Sequence, residues 1–320
     1  MGSYLILFLK GIAMGAANVI PGVSGGTIAF VTGIYEEFID SLKAFDLKAL
    51  QLAQKLRFKE LFAHLNLAFL IPLGLGVFIS LISLGKALDW LFNHQPVLVW
   101  SFFFGLILAS VYFVSKNIRQ RTPSVYVTFA IGTVAALALA FLKPAEENPA
   151  FYYIAICGVV AVCSMILPGL SGSFVLILMG NYQLIMLKAV PNTAESLLKF
   201  NIEDVLSNVG IIAPFAIGAA VGFILLSRAI SFLLHHHHDS TLSTLTGFIL
   251  GSLVVIWPWK NEVYLTDEFG ALVLKDGESI VQGYQWFLPS LADTNTLLGI
   301  VSMVAGVIAV ALLEKSARKA

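Results

Sequence analysis

Along most of its length the chain alternates long apolar runs with short polar interruptions. The runs last about 17–25 residues, the length of helix that crosses a bilayer. Reading from one interruption to the next predicts spans at 67–92, 97–115, 124–142, 208–234, 241–257 and 296–314. Two further runs carry a break. NVIPGVSGGTIAF (18–30) interrupts the first, and MILPGLSGSFVLI (165–177) interrupts the second. Proline ends a helix and glycine permits a tight bend. Each run therefore predicts a re-entrant hairpin, with arms at 4–20 and 24–42 and at 151–167 and 172–190.

Composition agrees with burial in lipid: 58% of the 320 residues are hydrophobic and 12% are charged, against about 25% charged in soluble domains. The formal net charge of zero offers no field for nucleic acid or another polyanion. The placement of charge is more informative. Lys116, Arg119 and Arg121 share one short loop, Lys315, Arg318 and Lys319 lie at the end, and 43–60 carries Lys43, Lys48, Lys55, Arg57 and Lys59 against Asp46 and Glu60. Loops of this kind stay in the cytoplasm. Residues 143–150 are net acidic, and 258–295 carries Glu262, Asp267, Glu268, Asp276, Glu278 and Asp293 against Lys260 and Lys275, so both are expected outside. The latter also holds DEFGALVLKDGES, whose turn glycines and short apolar runs suit a small extramembrane hairpin. Counting crossings from these anchors makes the first hairpin enter and leave on the cytoplasmic side. The second enters and leaves on the external side.

The two halves also match in sequence. Pro21, Gly22, Ser24, Gly25, Gly33 and Tyr35 align with Pro168, Gly169, Ser171, Gly172, Gly180 and Tyr182, and Gly11 aligns with Gly158. After a five-residue shift, Pro72, Gly76, Leu84, Lys86 and Ala87 match Pro214, Gly218, Leu226, Arg228 and Ala229, and GLILAS (105–110) matches GFILGS (247–252). The expected fold is thus an all-α polytopic membrane protein of two inverted-topology repeats, each a Pro/Gly-broken hairpin plus three transmembrane helices. The first repeat is 1–142, with its hairpin at 4–42 and a basic linker at 43–66. The second is 151–320, with its hairpin at 151–190 and an external insertion at 258–295. Inverted repeats with broken helices are typical of secondary transporters, whose sites lie near the midplane.

A helix break frees backbone N–H groups, and in hydrocarbon each needs an acceptor. Pro21 ends the incoming helix, Gly22 allows the bend, Gly25 and Gly26 bare the backbone, and Ser24 or Thr27 can cap the outgoing helix. Such an end attracts an anion, phosphate above all. Gly169, Ser171, Gly172 and Ser173 offer a second copy. Lys86 and Arg228, equivalent in the two repeats, either snorkel to the interface or contact an anionic head group. Glu36 and Glu37 either face cytoplasmic water or carry a coupling proton.

HHHHD (235–239) falls in a short predicted cytoplasmic loop. Consecutive histidines on a helix diverge, so no metal site is expected there. Cys157 and Cys163 lie six apart in an apolar run and fit neither a CxxC motif nor a disulfide framework. MGSYLILFLKG lacks a basic n-region and a cleavage site, so a removable signal peptide is not expected. The residues by themselves lead to an inverted-repeat transporter for an anion.

GIAMGAANVIPGVSGGTIAFVTGIYEEFI resembles the signature of the polyprenyl-phosphate transporter (PopT) family, and the resemblance extends over essentially the whole chain, including LPGLSGS. It implies a non-enzymatic carrier that returns undecaprenyl phosphate across the bacterial cytoplasmic membrane, both termini inside, with no cofactor. The lipid phosphate would then meet Ser24, Gly25, Gly26, Thr27, Ser171, Gly172 and Ser173, aided by Arg228 or Lys86. Two alternatives stay open: a polyprenyl-pyrophosphate phosphatase, and a carrier of a small soluble anion. The coupling ion, the direction of transport and the oligomeric state are not readable from the residues.

Overall fold

A computed structural model describes residues 2–19, 24–190, 192–193, 202–264, 274–275, 278–279, 281–291 and 293–317. Pro21 and Gly22 lie outside these residues, and so does the side chain of Lys86. The chain is a multi-pass helical membrane protein. Among the described residues four helical stretches are long and apolar enough to cross a bilayer: Pro96–Ser115, Pro123–Ala140, Asn208–His236 and Thr294–Leu312. A fifth span results if Phe58–His64 and Leu67–Leu81, bent by 71°, count as one.

The elements run α1 (Gly2–Val19), α2 (Gly25–Val31), α3 (Tyr35–Lys43), α4 (Leu47–Gln54), α5 (Phe58–His64), α6 (Leu67–His94), α7 (Pro96–Ser115) and α8 (Pro123–Ala140). They continue with α9 (Phe151–Ile166), α10 (Gly172–Leu178), a π-helical α11 (Gln183–Ala189), α12 (Ile202–His236), α13 (His238–Ser252) and α14 (Thr294–Ala317). Between α13 and α14, β1 (Lys260–Tyr264) pairs antiparallel with β4 (Val281–Trp286), and β2 (Leu274–Lys275) with β3 (Glu278–Ser279).

The outgoing arm of each hairpin departs from the single segment read in the sequence. Residues 24–42 divide into α2 and α3 around Gly33 (φ +71°), and residues 172–190 divide into α10 and α11 around Gly180 (φ +74°). A positive φ closes a helix in the left-handed conformation that glycine adopts without a Cβ penalty. The two aligned glycines therefore stop each arm after two turns. They turn the chain before Tyr35 and Tyr182.

Four helix pairs carry the packing: α1 with α6, α9 with α12, α7 with α14, and α8 with α13. Glycines lie at each crossing. A Cβ at Gly11 would overlap the Leu73 carbonyl, at Gly76 that of Phe8, at Gly158 that of Phe215 and at Gly218 that of Ala155. Likewise Gly105 and Gly306 cross at Met303 and Phe102, and Gly132 and Gly247 at Thr244 and Phe129. Small residues let helix backbones approach in lipid, where packing rather than water exclusion drives association. Contacting residue numbers rise together along both members of every pair, so each pair is parallel.

Candidate functional site

The two broken hairpins meet tip against flank. Ser24 caps α2: the Gly26 N–H donates to its Oγ at 3.1 Å. The Ser24 hydroxyl in turn donates to the Met165 carbonyl at the end of α9 (3.1 Å). The next carbonyl, Ile166, accepts from the Tyr35 hydroxyl (3.2 Å). In the opposite sense the Gly169 N–H donates to Thr27 Oγ1 (2.9 Å). Gly26 is small for a reason of space, since a Cβ there would lie 2.8 Å from the Ile166 oxygen.

The structure thus brings Ser24, Gly26 and Thr27 together with Gly169 across the two halves, all of them buried. Among the described residues of the first tip, a further backbone donor is met from within the protein. The Gly25 N–H donates to Asn18 Oδ1 (2.7 Å), and a Cβ on Gly25 would meet that amide at 2.8 Å. At the second tip Ser171 does not cap α10; its hydroxyl lies 2.8 Å from that of Ser173. Gly172 packs against Met165 and Ala161 of α9. Arg228 is apart from this assembly, exposed on α12.

A cavity of about 870 Å³ opens at the end of the molecule that carries the 116–122 loop. Its apolar wall includes Phe30, Val114 and Leu242, and Tyr35 ties it to the tips. Around it stand Glu36, Glu37, Asp40, His64, Asn66, Asn117, Arg119 and His238. Short links join these groups. Asn66 donates its amide to Glu37 (3.0 Å) and to Ser41 (3.2 Å). The Ser231 hydroxyl of α12 donates to Asp40 (2.7 Å) and accepts from the Lys43 ammonium (3.1 Å). His238 sits between Glu36 (2.9 Å from Nε2) and Asp239 (3.1 Å from Nδ1). Among the described residues no three His, Cys, Asp or Glu side chains are placed to hold a metal ion.

The two ends of the molecule differ. Nothing lies within 4 Å of where a Gly33 Cβ would be, and Gly33 lines the cavity. The aligned Gly180 is covered by the carbonyls of Ala145 and Glu146. Buried Asn181 fastens that cover, accepting from the Asn148 N–H and donating to the Asn148 carbonyl, both at 2.8 Å.

Several of these residues escaped the sequence reading. Lys10, whose ammonium donates to the Thr32 carbonyl (2.9 Å), carried a usable signal as a lone cation inside an apolar helix. Tyr35 was aligned with Tyr182, yet no sequence feature tells that its hydroxyl reaches the other half. Asn18 and Asn181 are single amides whose partners lie elsewhere in space. His238 looked like one of four equivalent histidines.

Apolar spans, with polar groups from two interrupted helical segments meeting in the interior, define a multi-pass helical membrane protein. More narrowly, the chain belongs to the VCA0040-like family, described as undecaprenyl phosphate translocase-like, whose model matches residues 14–273. Among its relatives is the polyprenyl-phosphate transporter of Vibrio cholerae serotype O1, 37% identical over 323 residues that cover 99% of this chain and 98% of that protein. Another is the polyprenyl-phosphate transporter of Staphylococcus aureus, 32% identical over 267 residues, 79% of this chain and 86% of that protein. No solved structure matches the chain.

Proposed function

We propose that this protein carries undecaprenyl phosphate across the bacterial cytoplasmic membrane by alternating access between two inverted repeats, without chemical conversion of the lipid. The observation that carries the reading is the joint between the hairpins. Its hydrogen bonds join side chain and backbone across the halves, and their three donors, the Ser24 and Tyr35 hydroxyls and the Gly169 N–H, are groups from which a lipid phosphate can accept. An ionised phosphate does not cross hydrocarbon unaided, because the cost of transfer far exceeds thermal energy. A polar joint between two movable hairpins lowers that cost while the isoprenoid tail stays in lipid.

The pairing of helices supports inversion. Within each half the incoming hairpin arm packs on the first span, and the second span of each half packs on the third span of the other. Exchanging the halves leaves this pattern unchanged. The open Gly33 end and the covered Gly180 end then correspond to one state of the cycle, accessible from the cytoplasm on the side of the basic loops. In this reading both termini lie in the cytoplasm, 43–66 is a linker there and 258–295 an external insertion.

The phosphate-binding set is Pro21, Gly22, Ser24, Gly25, Gly26 and Thr27 with Gly169, Ser171, Gly172 and Ser173, with Lys86 and Arg228 as accessory cations. Glu36 and Glu37 are the candidates for coupling to protons. The test is movement of polyprenyl phosphate in vesicles holding the purified protein, with Ser24→Ala and Gly25→Leu compared at equal folded amounts. Loss of movement in both is the expected result, and wild-type rates in both would remove the tips from the site. Release of inorganic phosphate from polyprenyl pyrophosphate by the same vesicles would favour a phosphatase instead.

A further inference from the structure

The contacts of His238 pose a question of proton number. Its Nε2 lies 2.9 Å from a Glu36 oxygen and its Nδ1 lies 3.1 Å from an Asp239 oxygen. A neutral imidazole has one N–H and one lone pair, and ionised carboxylates only accept. Two ionised carboxylates on one imidazole are both satisfied only when the ring carries a second proton. If the ring is neutral, one carboxylate must hold a proton itself or leave. The three side chains therefore form a site for one exchangeable proton.

The position of this site gives it reach. Glu36 lies in the first turn of α3. Asp239 opens α13 and accepts the N–H groups of Arg119 (3.1 Å) and Gln120 (2.8 Å), in the loop between α7 and α8. The proton thus joins the first hairpin to the second half and to the connecting loop, along the wall of the 870 Å³ cavity. Among the described residues the other titratable and charged groups facing this space are Tyr35, Glu37 and Asp40 on α3, His64 on α5 and Arg119 on the loop. His235 of α12 stands 3.7 Å from Asp40. Glu37 and Asp40 are engaged by Asn66 and Ser231, which leaves Glu36 as the carboxylate that moves when the imidazole loses its proton.

We propose that Glu36, His238 and Asp239 bind a single proton that holds the cavity mouth together, and that its loss frees Glu36 and widens the mouth. The link of this proton to lipid movement rests on the transport reading above; the proton site itself does not. The test below spans about pH 5 to 8, the interval over which histidine side chains in general change charge.

The test places a reporter thiol at Asn117, on the cavity wall, with Cys157 and Cys163 changed to alanine. The full-length protein in vesicles is labelled by a charged maleimide across that pH range. Each rate is divided by that of the denatured protein at the same pH, which removes the thiol's own ionisation. The expected result is about a tenfold rise in normalised rate from acid to alkaline pH, the size of effect given by one charge-assisted hydrogen bond. His238→Gln and Glu36→Gln should each reduce the rise to less than about twofold, and either variant decides if the other does not fold. A flat profile with His238 present overturns the proposal, as does a rise that persists in the variants. The two readings fail separately. A rise abolished by His238→Gln in vesicles that move no polyprenyl phosphate would sink only the transport reading. Lipid movement alongside a rise that ignores His238 would sink only the proton site.

Discussion

Thr27 is the residue on which the two halves most directly depend. It is fully buried, and its hydroxyl is the acceptor for the Gly169 N–H. Thr27→Val keeps the shape and leaves that N–H buried without a partner, at a cost of about 1–3 kcal/mol. Thr27→Ser retains the oxygen and should lie closer to wild type when thermal stability in detergent is compared. The two turn glycines make a second pair of predictions. Gly33 has a positive φ and open space around it, so Gly33→Ala should cost only the left-handed penalty of about 1–2 kcal/mol. Gly180 has the same φ and sits under the 145–146 carbonyls, so Gly180→Ala should cost clearly more in the same thermal assay. Asp46 offers a test by pH. The N–H of Ala49, first among several causes, holds its carboxyl below the ordinary carboxylate value. A lowered carboxyl stabilises the fold above its unfolded value and ceases to do so as pH falls through the folded one. The stability difference between wild type and Asp46→Ala should therefore be about 1 kcal/mol near neutrality. It should shrink below about pH 4 when melting is followed against pH.

At the scale of elements, the helices were legible because lipid imposes a length and an apolar surface that any window of the sequence reveals. The breaks after α1 and α9 were legible for a related reason, since few residues other than proline and glycine interrupt so apolar a run. The stop at Gly33 and Gly180 was not. Each glycine could equally have been a packing contact, and only the fold makes its φ positive. The π-helical turns of α11 have no sequence signature either. The polar residues of the tips could be picked out of the apolar runs in the sequence. Which atoms pair was not legible, because Ser24, Thr27 and Tyr35 find their partners about 130–140 residues away. The glycine crossings predict how elements fail. Gly105 fits against the Met303 carbonyl and Gly306 against that of Phe102. Gly105→Leu should force α7 and α14 apart, at a cost of about 1–3 kcal/mol or more. The check is loss of monodisperse protein on size exclusion, together with a lower melting temperature.

For the whole molecule, the four parallel pairs have a consequence for how the chain is made. α1 and α9 can settle soon after their partners α6 and α12 emerge, within one half of the chain. α7 and α8 cannot. Their glycine-lined faces wait for α14 and α13, which follow much later in synthesis. During that wait two spans stand in the membrane with bare backbone stripes and no mate, open to capture by other helices. A nascent chain stalled before Thr294 should therefore be degraded faster than one stalled after Ala317, with Gly105 already inserted in both.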